Sequence, residues 1–161
     1  MNATPAARVA LRALALAGAL TALAAPLAAQ LAPFRSVEGL SVSTAERSEV
    51  SRMTDGGVVS VEGAGAFVIT IAGELRGRAD REGVIGVILV PELPFFSDLN
   101  RNRRIVLSAA DYTATIKSGH SGYFLSPSKR LVAGFPSYHL FLFNTTGAAA
   151  TVNVYVNPTR S

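Results

Sequence analysis

The chain contains no cysteine. That excludes disulfide staples and excludes lipid attachment at a bacterial lipobox. It also lacks any acidic residue before Glu38, while Arg8 and Arg12 lie near the start. The two arginines are not adjacent, so no twin-arginine signal is present. Beyond the first thirty residues there are no internal repeats, no low-complexity tract and little net charge. Thirteen basic residues then stand against eleven acidic ones. The high isoelectric point of the whole chain is therefore no argument for a nucleic-acid partner.

What is present at the start is a leader. The positive Arg8 and Arg12 precede an apolar run from Ala13 to Ala25. Pro26 breaks the run, and Leu27-Ala28-Ala29-Gln30 supplies small residues. Residues 1–30 read as a secretory signal peptide with cleavage near Ala29 or Gln30. The rival reading is a transmembrane anchor, for which the run is short of the roughly 20 residues a span needs. The leader's style is bacterial, so the expected destination is the periplasm or the exterior, with no stable anchor after cleavage. Residues 31–161, about 130 in all, suffice for one domain that buries roughly two-thirds of its unfolded surface.

The last quarter of the chain sets the fold class. Val152, Val154 and Val156 alternate with Thr151, Asn153, Tyr155 and Asn157. A period of two means one apolar face and one wet face. In Tyr138 to Phe143, Leu140 and Leu142 point one way while Phe141 and Phe143 point the other. A strand apolar on both faces must be covered on both. With the turn between them, Ser137 to Pro158 reads as a closing hairpin. Gly83 to Val90 is apolar throughout apart from its glycines and reads as a second central strand, ended by Pro91 and Pro94.

Elsewhere the segments are shorter. Val37 to Val50 is polar and reads as one or two edge strands. Asp55-Gly56-Gly57 is a turn signal. Val58 to Val61 and Ala66 to Ala72 read as a hairpin around Glu62-Gly63-Ala64-Gly65. Arg76 to Glu82 reads as a charged, solvated connector. Tyr123 to Leu125 and Arg130 to Val132 read as short strands separated by Ser126-Pro127-Ser128.

Ser108 to Lys117, about residues 108–118, has the marks of a helix. Ser108 is an N-cap with Asp111 at N3, Leu107 and Tyr112 have staple spacing, and Gly119 falls at C′. Such a helix would cover the outer face of the two-faced strands. Tyr112-Thr113-Ala114-Thr115-Ile116 also alternates and is β-branched, which fits a strand instead. The sum is an all-β, two-sheet antiparallel sandwich of seven to eight strands with one short helix.

The pattern resembles the GOLD-like or jelly-roll β-sandwich accessory domains of secreted prokaryotic proteins, over about residues 58–158. Gly83 to Val90, the Ser108 to Lys117 helix, Tyr138 to Asn144 and Thr151 to Val156 carry the likeness. The basic stretch Asn100 to Arg104 departs from it. The resemblance implies a non-catalytic adhesion, ligand-binding or assembly role.

Few side chains suggest chemistry. Asp98, Asn100 and Asn102 have the spacing of a calcium loop, but Arg103 stands where glycine is needed and Ala109 where glutamate is needed. Ser126 and Lys129 match the S-x-x-K of penicillin-recognising enzymes, but Pro127 between two strands gives the wrong context. His120 and His139 would bind metal only if brought together with a third ligand, so no metal or cofactor is expected. Asn144-Thr145-Thr146 is a formal glycosylation sequon that reads as a turn. Gly63-Ala64-Gly65 lacks the rest of a phosphate loop. No catalytic residues are assigned.

The expected activity is binding, to an anionic glycan, an envelope surface or a protein partner. Arg101, Arg103 and Arg104 form the densest basic spot, and Phe95 and Phe96 precede it. If the phenylalanines pack inside, the arginines merely keep a loop wet. The alternative is a structural subunit that pairs edge strands through Val37 to Ser43. An unfamiliar hydrolase is the third reading and needs Ser, His and Asp clustered in a cleft.

Overall fold

The computed structural model describes residues 35–93 and 111–159. All described elements belong to one compact unit, Pro33–Ser161. They are nine strands and one 3-10 turn: β1 Arg35–Val42, the turn Val50–Arg52, β2 Thr54–Ser60, β3 Ala66–Arg78, β4 Gly83–Pro91, β5 Asp111–Ile116, β6 Ser121–Leu125, β7 Lys129–Val132, β8 Ser137–Asn144 and β9 Ala150–Thr159. Two antiparallel sheets pack face to face as a β-sandwich. Sheet A has the order β1-β9-β3-β6, with β7 also beside β3, and sheet B the order β2-β8-β4-β5. Nine strands exceed the seven to eight expected. β6 pairs with the second half of β3 and β7 with the first, so the two lie end to end along one edge.

The main core fills the space between the sheets. Phe67, Ile69 and Ile71 of β3 and Val152, Val154 and Val156 of β9 meet Ile85, Val87, Leu140 and Leu142 from sheet B. Period-two alternation places them there, as read from the valine-rich strand.

The two-faced strands are central, as expected. β4 lies between β8 and β5, and β8 lies between β2 and β4. Leu140 and Leu142 enter the main core, while Phe141 and Phe143 join Ile88, Val90 and Val50 in a second cluster on the outer face of sheet B. The cover is a different element from the expected helix. The β1–β2 connection, residues 43–53, lies over this face and inserts Val50 and Met53. It is pinned by paired backbone hydrogen bonds between Ala45 and Asn144 (2.8 and 3.1 Å). Ion pairs from Arg47 to Asp111 and from Arg81 to Glu46, both 2.7 Å, hold it at the sides.

Residues 111–116 of the expected helix are strand β5; Ser108 to Ala110 lie outside the described residues. Pairing with β4 decides the outcome, because Tyr112, Ala114 and Ile116 all turn inward at period two. A helix would bring Tyr112 and Ile116 together and point Ala114 away. The capping signals are local and weaker than six residues of ladder plus core burial.

Two expected hairpins are also corrected. β8 and β9 do not pair with each other: β8 is in sheet B and β9 in sheet A. The same holds for β2 and β3. Each connection crosses from one sheet to the other, so the apolar faces of the strands it joins meet across the core. The charged connector is shorter than read, since β3 runs on to Arg78 and leaves only 79–82. Among the described residues no helix is long and apolar enough to cross a membrane.

Candidate binding cleft

Sheet B ends at β5 and sheet A ends at β6 and β7. Among the described residues no strand pairs with the far side of either edge. The two edges are joined by the turn Lys117 to His120, closed by a His120 N–H to Lys117 carbonyl bond of 3.1 Å. Gly119 in this turn has φ +79°, which suits glycine. Backbone bonds between Ala79 and both Gly119 and His120 (2.8 Å each) tie the turn to the β3–β4 loop.

A cleft opens between the edges. Its larger part is about 500 Å³ and runs from Tyr112 and Lys129 to Ile116 and Phe124. The adjoining part is about 380 Å³ and reaches Lys117, His120 and Tyr123. Thr115, Ile116, Phe124 and Leu125 line both parts, which makes them one groove.

The outer wall follows from alternation in β6. Phe124 turns inward opposite Gly73, where a Cβ would come within 2.8 Å of its ring. Tyr123 and Leu125 therefore turn outward and stay 79 % and 72 % exposed; on β7, Val132 is 83 % exposed. Two large apolar side chains bare beside a cleft are the feature to be explained. This edge is ill-suited to strand pairing. Gly122 has φ +80°, β3 and β6 shift register between Leu75 and Arg78, and Pro127 interrupts the edge.

The floor is Tyr112, only 8 % exposed. The Lys129 ammonium stands 5.9 Å from its ring centroid, within cation–π reach. The Tyr112 hydroxyl is buried and has no hydrogen-bond partner among the described residues. An orphaned buried hydroxyl costs about 1–3 kcal/mol. Ser126 is structural. Its N–H donates to the Ile71 carbonyl and its Oγ accepts from the Ile71 N–H, both at 2.8 Å. The hydroxyl thus stands in for a ladder carbonyl where Pro127 turns the strand aside. That, with Lys129 on a strand, removes the serine–lysine reading.

The other sequence candidates are placed as follows. Phe95, Phe96, Arg101, Arg103 and Arg104, and the Asp98 to Asn102 spacing, lie outside the described residues. The described residues resume at Asp111, the first residue of β5. His120 bonds through Nε2 to the Tyr123 carbonyl at 3.0 Å. His139 lies on the outer face of sheet B, stacked on Phe141 with centroids 4.4 Å apart. Its Nε2 meets Asp55 at 2.7 Å and its Nδ1 meets Glu92 at 3.4 Å. The histidines thus have separate partners and do not converge. Partial desolvation pushes the Asp55 carboxyl up, but bonds from the Gly57 N–H and from His139 outweigh it and hold it below the ordinary value. Asn144 is fully buried, bonded to the Ala148 carbonyl and to Thr146. The sequon is a turn, with its amide inaccessible. Gly63, at φ +75°, likewise makes a turn.

Sequence reasoning missed the cleft. Tyr112, Lys117, Tyr123, Leu125 and Lys129 are scattered over three strands and a turn. One signal was available: the chain has two lysines, Lys117 and Lys129, and they flank β6 closely.

No protein-family model matches the chain, and no curated protein matches it.

Proposed function

We propose that the chain is exported and that its mature domain is a non-enzymatic module that binds a glycan in the cleft between β5 and β6–β7. The carrying observation is the exposure of Tyr123 and Leu125 beside a groove with hydroxyls from Thr113, Thr115 and Ser128 among its lining residues. Flat aromatic and aliphatic surface next to spaced hydroxyls suits sugar rings, which have apolar faces and polar edges. Counting β6 and β7 as one interrupted strand leaves four strands in each sheet, which supports the jelly-roll half of the resemblance. The leader at residues 1–30 supports export. Phe95, Phe96, Arg101, Arg103 and Arg104 remain candidate contacts, since they precede β5 in the chain.

Glycan-array binding by the mature domain tests the module. The Tyr123→Ser, Leu125→Ser pair is expected to abolish binding and leave thermal unfolding nearly unchanged. Full binding by that pair rejects the cleft. Changing Arg101, Arg103 and Arg104 to serine tests the basic segment in the same assay. N-terminal sequencing of the exported product tests the leader: a chain beginning near residue 30 agrees, and a product retaining Met1 in the membrane does not.

A second reading is assembly through β1. It is favoured by one observation: β1 lies at the edge of sheet A. The edge is interrupted between Val37 and Leu40, where Gly39 takes φ +69°, and such bulges discourage pairing. A strictly monomeric elution at high concentration excludes this reading.

A further inference from the structure

We infer that the cleft selects an acidic polysaccharide and reads its charges through Lys117 and Lys129; this deepens the glycan-binding reading above and rests on it. The chain's two lysines both line this one groove, one at each end. Lys129 stands over Tyr112, and Lys117 follows Ile116 at the other end of β5. At about 3.3 Å per strand residue, the five steps from Tyr112 to Lys117 span roughly 17 Å. That is the length of an oligomer and not of a single sugar.

The charges in the groove's lining are of one sign. Among the described residues that line it there is no carboxylate. The ion pairs of Arg47, Arg52 and Arg81 with acids hold the β1–β2 connection together, and neither lysine joins such a pair among the described residues. The nearest described acids by sequence and register lie outside the lining: Asp111, which is bound to Arg47, Glu74, opposite Tyr123 on the outer face, and Glu82, which precedes Gly83, the register partner of Ile116. Arg130, outward on β7 opposite Val68, adds a further positive group on the flank. A lysine ammonium is a compact charge on a flexible stem, suited to a single carboxylate and adaptable to its position. Two such charges at the ends of a groove match a polymer whose negative charges recur along its length. The hydroxyls of Thr115 and Ser128 and the part of the Phe124 side chain that lines the groove suit the uncharged parts of the sugar rings. An acidic polysaccharide is favoured over a membrane because the two charges stand at the ends of one groove instead of being spread over a basic face.

The test is titration calorimetry of the mature chain with hexagalacturonate and with its methyl-esterified, uncharged counterpart. The acid is expected to bind at least about tenfold tighter, with a preference that shrinks as salt rises. Changing both Lys117 and Lys129 to methionine should erase the preference, and Lys129→Arg should retain most of it. Both lysines are exposed, so an unchanged unfolding temperature certifies the double variant. Equal affinity for acid and ester overturns the acidic reading and leaves a neutral-glycan module. Binding of neither oligosaccharide overturns the acidic-polysaccharide inference, and an empty glycan array overturns the glycan reading itself. Binding to phosphatidylglycerol vesicles without binding to hexagalacturonate overturns the inference in favour of a lipid surface. A preference that survives in the double variant removes the lysines from it.

Discussion

Gly86 and Phe143 are register partners across the β4–β8 ladder, and the Phe143 ring occupies the space that a side chain at 86 would take. A built Cβ at Gly86 overlaps the ring outright. The aromatic ring thus fills the gap that glycine leaves in a central strand and anchors the second hydrophobic cluster. Gly73 and Phe124 repeat the arrangement in sheet A, at the cleft.

Gly86→Ala is therefore expected to destabilise the fold by about 1–3 kcal/mol through overpacking. The gain from removing a strand glycine, about 0.5–1 kcal/mol, offsets only part of this. Urea unfolding should give a lower midpoint at an unchanged slope. A midpoint equal to or above that of the parent chain contradicts the packing described.

Val50 probes the connection that covers sheet B. It is 3 % exposed and meets Ile88, Val90, Phe141 and Phe143. Val50→Ala removes two buried methyl groups and should cost about 2 kcal/mol, including the cavity left behind. A loss within experimental error would mean that this segment merely rests on the sheet.

Tyr112→Phe should move stability in the other direction. The hydroxyl it deletes is buried without a partner among the described residues. Removing it should stabilise the free protein by about 1 kcal/mol. A fall in unfolding temperature would show that the hydroxyl is bonded in solution.

Asp55 links stability to pH. Its carboxyl is held below the ordinary value in the fold, despite partial desolvation, by the Gly57 N–H and His139. A depressed folded value means that the fold favours the ionised form. The resulting stabilisation is complete above about pH 5 and is lost as pH falls through the folded value, below the usual 3.9 or so. The side chain is largely exposed, so solvent screening keeps the effect small. Unfolding temperatures from about pH 6 down to about pH 2 should fall more steeply for the parent chain than for Asp55→Asn. Parallel curves would remove the linkage.

Asn144→Ala should be the most damaging single change among these. Asn144 holds the Thr146 N–H, the Thr146 hydroxyl and the Ala148 carbonyl inside the β8–β9 turn. Removing the amide orphans the Thr146 N–H and leaves the Thr146 hydroxyl and the Ala148 carbonyl only their mutual bond of 3.2 Å, which should cost about 3 kcal/mol. Thermal melting reads it directly, and a shift of only a degree or two would contradict the network.

Much of the architecture was legible because strand periodicity is written in the side chains. Leu140 and Leu142 against Phe141 and Phe143 announced a strand with two buried faces, and both faces are buried. Neighbour choice was not legible. Nothing in Tyr138 to Val156 says that its two strands lie in different sheets, since the turn between them is compatible with a hairpin or a crossing. The β5 segment carried real capping signals, and they lost to pairing with β4. Val50 and Met53 gave no sign that they would cover sheet B, because two apolar residues in a polar stretch have no period.

The sequence by itself determined the all-β class and the identity of the two-faced strands, and it alone carries the expectation of a leader, because each rests on local pattern or composition. Only the tertiary structure decided which strands are neighbours, what covers sheet B and where a groove opens. The cleft exists because the edges of two sheets end side by side, bringing Tyr112, Tyr123 and both lysines together from separate strands and a turn. That is a property of packing between sheets, which no window along the chain contains.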